Sequence, residues 1–323
     1  MALVACDAPS AVVPLTAPPP TSEATAVAPA TPPPVATLLK GVDETRLRTH
    51  VEALAAVGSR SPGRDGHVKA QAYIRDVLTA IGSPFVSRIP RTSGPEPQNW
   101  YAEFGPEGNS TIAPDIWITA HYDSIADRTP GWNAATDPAP GANDNGTGVA
   151  GLLEIARILQ SEHAAGHLMK RVGVLFLDEE ELGMRGSIAV ARSIGPFYRP
   201  TVINLDMVGF SGAGKRKLDV VRYAGSGDLL DRARRANDSY GLGLELVDRL
   251  LPAELRTWVD STPFAMAGAP AITLTESYGQ PGVDYPGYPG FHRVDDTPDR
   301  INNIAQWTAA TRLALAIALE LAR

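Results

Sequence analysis

Four short stretches, 117–119, 172–177, 202–205 and 271–274, are mostly apolar, broken only by Thr119, Asn204 and Thr273, and each lies between segments with helical spacing. Such near-continuous apolar runs mark strands buried on both faces, as in a parallel sheet covered by helices. Leu47, Val51, Leu54 and Ala55 repeat at helical spacing until Gly58. Ala70, Tyr73, Ile74, Val77, Leu78 and Ile81 form a second amphipathic stretch, ended by Gly82. Further helices are expected at 152–159, 187–193, 229–236 and 304–321. This alternation predicts an α/β fold, a mixed and mostly parallel central sheet flanked by helices on both faces, in one domain over 39–323.

Asp and Glu number 36 against 29 Lys and Arg, for a net charge of -7, and no basic tract interleaves with aromatics. Nucleic acid is therefore not an expected partner. The single cysteine, Cys6, can neither close an internal disulfide nor build a Cys-rich zinc site, so any metal must be held by His, Asp and Glu. No apolar run reaches the roughly 18 to 20 residues of a membrane helix, and the stretch 309–321 is broken by Arg312 and Glu320.

Residues 1–38 stand apart. From 7 to 36 the chain is a mixture of Ala, Pro, Thr and Val with two proline triplets, the composition of an extended, solvated tether. Leu-Val-Ala-Cys at 3–6 resembles the lipobox of bacterial lipoproteins, which makes Cys6 the candidate lipid anchor and predicts a periplasmic or membrane-attached location. Secretion, or a disordered cytoplasmic tail, is the alternative. Only five residues precede Cys6, so the lipoprotein reading requires a signal that begins further upstream.

In a parallel sheet, ligands bind outside the carboxyl ends of the strands. Three of the four expected strands lead there into polar, acidic residues: His121-Tyr122-Asp123-Ser124, Asp178-Glu179-Glu180-Glu181, and Asp206. His121 and Asp123 share one side of an extended chain, where Asp123 can fix the tautomer of a metal-ligating imidazole. Alone, this tripeptide equally describes a surface histidine with a solvated aspartate. Residues 141–148, Gly-Ala-Asn-Asp-Asn-Gly-Thr-Gly, let backbone pack around Asp144, whose two oxygens can bridge two cations. An ordinary helix-capping turn is the alternative.

These motifs, followed in order by Glu-Glu-Leu-Gly-Met-Arg-Gly-Ser at 180–187, Asn-Leu-Asp-Met-Val-Gly at 204–209 and a histidine before Asp-Thr-Pro-Asp, resemble the co-catalytic two-zinc metallopeptidases. That family includes secreted bacterial leucine aminopeptidases and glutamate carboxypeptidases, and the likeness runs from about Leu54 to the C-terminal helix. It implies a zinc exopeptidase-like sandwich that holds two Zn2+ through His121, Asp144, Glu181, Asp206 and His292, with Asp144 bridging. It places Glu180 as general base, beside the role that spacing already gives Asp123 behind His121. The Leu-Gly-x-x-Gly-Ser that follows sets the register and leaves Asp178 and Glu179 outside the catalytic pair.

Three carboxylate ligands against two dications leave one positive charge, which a metal-bound hydroxide would neutralise. The activity implied is removal of N-terminal residues from peptide substrates. A carboxypeptidase or amidohydrolase is the alternative, with Arg256 and Arg293 as candidate carboxylate grips; a glutaminyl cyclase is less favoured because the full ligand set is present. A tethered, non-catalytic homologue is the reading from a different class. Oligomeric state has no signature in the sequence.

Phe291 stands where some of these aminopeptidases carry an oxyanion-stabilising tyrosine, and Tyr278, Tyr285 and Tyr288 are candidate substitutes. Arg293, Asp296 and Asp299 are expected in the loop that orients His292, with surface pairing as the alternative. Residues 209–215 fit the start of a phosphate-binding loop, but Arg216 replaces the Ser or Thr that would meet magnesium, so a hairpin turn is expected. His50, His67, His163 and His167 are expected to be solvated or core residues without acidic partners at ligand spacing. The connection 125–140 is expected either to wall a specificity pocket through Trp132 or to form a surface loop.

Overall fold

The computed structural model describes residues 32–84, 86–88, 97–106, 114–194, 198–212, 214–252, 259–276 and 287–323. Cys6, most of the expected tether, Arg256, Tyr278 and Tyr285 lie outside the described residues. Eight helices are described: α1 (Val35–Leu39), α2 (Glu44–Ala55), α3 (Asp65–Ala80), α4 (Thr147–Ala164), α5 (Arg185–Ser193), α6 (Gly227–Ser239), α7 (Ser261–Met266) and α8 (Ile304–Ala322). The described strands are β1 (Val86–Arg88), β2 (Trp100–Phe104), β3 (Ile116–His121), β4 (Val172–Leu177), β5 (Thr201–Leu205), β6 (Lys217–Arg222), β7 (Glu245–Leu250) and β8 (Ala271–Thr275). Helix α1 starts inside the stretch expected as tether to residue 38. Its Leu39 is buried and its Val35 and Leu38 pack on the core, so apolar spacing overrides the preceding prolines.

The strands form one sheet in the order β1-β2-β4-β3-β5-β8-β6-β7. The four apolar runs are the contiguous block β4-β3-β5-β8, and within it every pairing is parallel. Around it, β1 and β2 run antiparallel on one side, and β6 is antiparallel to β8 on the other. Side chains alternate across the sheet. Ile116, Ile118 and Ala120 of β3 join Val172, Val174 and Phe176 of β4 in a core with residues of α2, α3, α4, α6 and α8. Trp117, Leu175 and Leu177 point to the opposite face, against Val190 of α5 and Phe264 of α7. Helices thus cover both faces.

The alanine-rich α8 is buried along almost its whole length, which is why it lacks a polar face. Its small residues let it approach α4 closely: a Cβ on Gly151 would come within 3.0 Å of Thr311 Oγ1. The same economy of space acts in the sheet, where Gly173 pairs with Trp117. A Cβ there would lie 2.3 Å from the indole ring. Gly173→Ala is therefore expected to destabilise the fold by about 1–3 kcal/mol through overpacking, seen as a lower thermal midpoint. An unchanged midpoint would show that the indole has room to move.

Residues 209–215 connect β5 to β6, and these strands are not neighbours because β8 lies between them. The expected hairpin is therefore a crossing connection. A strand rather than a helix follows it, so no phosphate-binding loop forms. Among the described residues, no helix is long and apolar enough to cross a membrane.

Candidate metal centre

Strands β4, β3 and β5 lie side by side and in parallel, so their carboxyl ends open onto one place. They deliver residues 178–181, His121 and Asp206 respectively. Asp144 comes from the turn Ala142–Gly146 that opens α4, and His292 from the turn before α8. Four non-glycine residues with positive φ surround these ligand positions: Glu179 (57°), Met184 (58°), Met207 (52°) and His292 itself (53°). Such conformations are uncommon for side-chain-bearing residues and gather where a structure over-determines a site.

His121 Nε2 lies 3.3 Å from Asp144 Oδ1 and 3.5 Å from Asp206 Oδ1. His292 Nε2 lies 2.8 Å from Glu181 Oε2 and 3.5 Å from Asp144 Oδ2. Asp144 thus turns one oxygen to each imidazole, with Asp206 beside the first and Glu181 beside the second. Both histidines direct Nδ1 outward to an aspartate. His121 Nδ1 meets Asp123, 3.3 Å from its carbonyl and 3.5 Å from its carboxylate; His292 Nδ1 is 3.0 Å from Asp127 Oδ1. A proton on Nδ1 leaves Nε2 as the inward lone pair, the tautomer that a metal needs.

Asp123 does more than face His121, because its two oxygens accept the backbone N–H groups of Glu180 (3.1 Å) and Glu181 (3.2 Å). The Asp144 turn is held as firmly. Asp296 accepts the N–H groups of Asn143 and Asp144 through its carboxylate, and Tyr288 donates its hydroxyl to the same group at 2.7 Å. Asn145 donates to the Leu205 carbonyl and accepts from Met207 and Gly148, while Asn143 donates to Glu276. Arg60, fully buried, donates to the carbonyls of Tyr122, Pro140 and Gly141.

Burial works against charge on every group here. It pulls His121 and His292 down, yet the facing carboxylates prevail and hold His121 well above the usual imidazole range and His292 at about 9. Burial, followed by the charge of Asp144, lifts Glu181 to about 7. Burial also lifts Asp206 and carries Glu180 well above the carboxylate range, with Glu181, Asp260 and Asp206 adding to the rise at Glu180. Asp144 alone stays low despite burial, held down by the two histidines and Arg60. The cluster retains protons that bound cations would displace.

Asp144 Oδ2 and Glu181 Oε1 are buried without a hydrogen-bond partner among the described residues. Single donor atoms of His121, Asp144 and Glu181 lie within 4.8 Å of one another. Orphaned anionic oxygens beside imidazole lone pairs form a nitrogen and oxygen donor set that suits zinc. Asp260, at the start of α7, is likewise buried, and its oxygens have no hydrogen-bond partner at bonding distance among the described residues. Its only sequence signal is an acidic residue just before a short apolar segment.

Several expectations change. His67 is a core residue, one of its two expected settings, and it gains an acidic partner from far along the chain, Asp178 at 2.7 Å; His167 lies 3.3 Å from Glu162. Asp296 orients the Asp144 turn rather than His292. The groups that grip the His292 turn belong to the 125–140 connection: Asp127, the Arg128 N–H to the His292 carbonyl, and Thr129 Oγ1 accepting from Val294. Trp132 of that connection donates to Pro138 within its own loop. Arg293 lies beside Asp295, and Asp299 is exposed and bonded to Thr297. Tyr288 is committed to Asp296, so it is no substitute for the tyrosine missing at Phe291. The Phe291 ring stacks on His292 (centroids 3.7 Å apart), with the Arg128 guanidinium 4.5 Å from its centre.

The sequence profile of peptidase family M28 matches residues 99–318, more than half of the chain. The chain belongs to peptidase family M28. The Escherichia coli (strain K12) protein YfbL is 28% identical over 263 residues, 72% of this chain and 74% of YfbL. The M28 chain is also 30% identical over 194 residues to aminopeptidase YwaD of Bacillus subtilis (strain 168), covering 58% of this chain but only 37% of YwaD. It spans 45% of leucine aminopeptidase 1 from Pyrenophora teres f. teres, at 28% identity over 54% of this chain. Among solved structures, Legionella pneumophila LapA aminopeptidase superposes with a TM-score of 0.72 at 20% identity, over 89% of this chain and 74% of LapA. A Bacteroides thetaiotaomicron glutaminyl cyclase reaches 0.66 at 22% identity, over 85% and 97%. At these identities the likeness establishes the fold. BSAP, described as a zinc aminopeptidase from Bacillus subtilis, reaches 0.54 at 27% identity, over 70% of this chain and 50% of BSAP.

Proposed function

We propose that this peptidase is an aminopeptidase that removes N-terminal residues from peptides at a centre of two zinc ions. The observation that carries the reading is Asp144, with one oxygen turned to His121 and the other to His292. His121, Asp144 and Asp206 would hold one ion, and His292, Asp144 and Glu181 the other. Bound there, the ions would supply Lewis acidity, which lowers the pKa of water and polarises the scissile carbonyl. Asp123 and Asp127 keep the two imidazoles in the ligating tautomer, and Asp123 also fixes the backbone from which Glu180 projects. Glu180, buried and with raised proton affinity, accepts the proton of the attacking water and returns it to the leaving amine. Adjacent glutamates thus divide the work, Glu181 as ligand and Glu180 as base.

The test pairs two measurements on one sample: metal stoichiometry, and hydrolysis of an aminoacyl anilide beside its N-acetylated form. Two zinc ions per chain and cleavage of the free amine alone is the expected result. Cleavage of blocked substrates alone would move the activity to a carboxypeptidase or amidohydrolase. Ammonia release from N-terminal glutaminyl peptides without hydrolysis would mark a cyclase. Absence of both metal and turnover after zinc addition would leave a non-catalytic homologue.

A further inference from the structure

Arg60 lies outside the segment 99–318 that matches the family profile, in the connection between α2 and α3. Its side chain is fully buried. A buried guanidinium normally meets a carboxylate. Among the described residues this one meets none: its hydrogen bonds run to three carbonyls, Tyr122 at 2.6 Å, Gly141 at 2.8 Å, and Pro140. Tyr122 sits between His121 and Asp123 at the end of β3, whereas Pro140 and Gly141 begin the turn that carries Asp144. One planar fork therefore spans the two segments that face each other across the centre.

Gly141 is shaped to this contact, with φ of 54° and no room for a Cβ, which would fall 2.8 Å from Arg60 Nη2 and 2.6 Å from Ser124 Cβ. With no carboxylate bonded to it, the positive charge acts on the anions around it, Asp296, Asp123, Asp144 and Glu181. In a buried setting such charges act over longer distances than they do in water.

We propose that Arg60 is a positioning residue of the metal centre. It fixes the spacing between the strand end that bears His121 and the turn that bears Asp144. The inference rests on the two-metal reading above. Lysine cannot replace it fully, since a single ammonium lacks the planar fork that reaches both segments.

Zinc affinity of the full chain, measured by competition with a chromophoric chelator, tests this in Arg60→Met, Arg60→Lys and Ser61→Ala. Ser61 ties the same connection to the same strand end by a neutral bond, Oγ to the Ser124 carbonyl at 2.7 Å. Arg60→Met is expected to weaken zinc binding about 10- to 100-fold, the range typical of groups behind the ligands. Arg60→Lys should fall between it and the wild type. Ser61→Ala should melt earlier yet bind zinc as the wild type does, which a merely structural role for the connection would not allow. Wild-type affinity in Arg60→Met overturns the proposal, as does wild-type affinity in Arg60→Lys if the Met variant fails to fold. A wild-type chain that binds no zinc overturns the metal reading along with it, so the two failures are distinct.

Discussion

On the two-zinc reading, replacing Asp144 with alanine is expected to release both ions rather than one. Its Oδ1 lies 3.3 Å from His121 Nε2 and its Oδ2 lies 3.5 Å from His292 Nε2, so each position shares this carboxylate. Without it, His121 and Asp206 remain on one side and His292 and Glu181 on the other. That is one nitrogen and one carboxylate each, where catalytic zinc is usually held by three protein ligands. The loss extends beyond donor count, because four carboxyl or imidazole groups of raised proton affinity would then face each other across a gap. Zinc per chain after dialysis should fall at both positions, turnover should drop to background, and the rise in melting temperature that zinc confers on the wild type should vanish. Asp144→Asn, which keeps one lone-pair oxygen, should retain at most one ion. An Asp144→Ala chain that loses a single ion and keeps the other tightly bound would rule out bridging.

Why so much of this centre could be anticipated follows from the sheet. Strands buried on both faces are mostly apolar, so β3, β4, β5 and β8 stand out even though Thr119, Asn204 and Thr273 bond to one another across them, and a parallel sheet sends its carboxyl ends to one side. With a lone cysteine, metal chemistry is confined to His, Asp and Glu, and these residues follow the runs directly. The less visible strands have a physical reason too. In β7 the residues Glu245, Asp248 and Arg249 interrupt the pattern because an edge strand keeps contact with water. In β6, Asp219 is buried but lies 3.1 Å from Arg249, so its charge misleads when read alone.

The supporting shell was illegible for a different reason, sequence distance. Arg60 reaches Gly141, 81 residues away, and His67 reaches Asp178, 111 residues away. Between Ser59 and Ser61, two residues after Gly58, an arginine has every local mark of a solvated turn. Asp127 carries no local signal for a similar reason. Asp296 is expected in the loop that orients His292, whereas the fold turns its carboxylate towards the Asp144 turn and brings Asp127 to His292 from another loop. Local spacing predicts what an element presents, and only packing decides what it meets.

Glu180→Gln is expected to separate chemistry from metal binding. The substitution keeps the size of the side chain and removes only its ability to take a proton. The backbone around it should stay in place, since Asp123 holds the N–H groups of residues 180 and 181 rather than either side chain. Zinc content should therefore match the wild type, while kcat falls by about 10²- to 10⁴-fold, the usual contribution of a positioned general base. KM should change little, because the proposed metal ligands are untouched. Burial and the neighbouring Glu181, Asp260 and Asp206 all raise the proton affinity of Glu180. A carboxylate placed in this way holds a proton more readily than an exposed glutamate does. Full turnover in the glutamine variant would remove Glu180 from the mechanism and leave Asp260, whose buried oxygens have no hydrogen-bond partner at bonding distance among the described residues, as the carboxylate to test next. Loss of zinc together with turnover would instead make Glu180 a ligand, and the division of labour between the two adjacent glutamates would have to be redrawn.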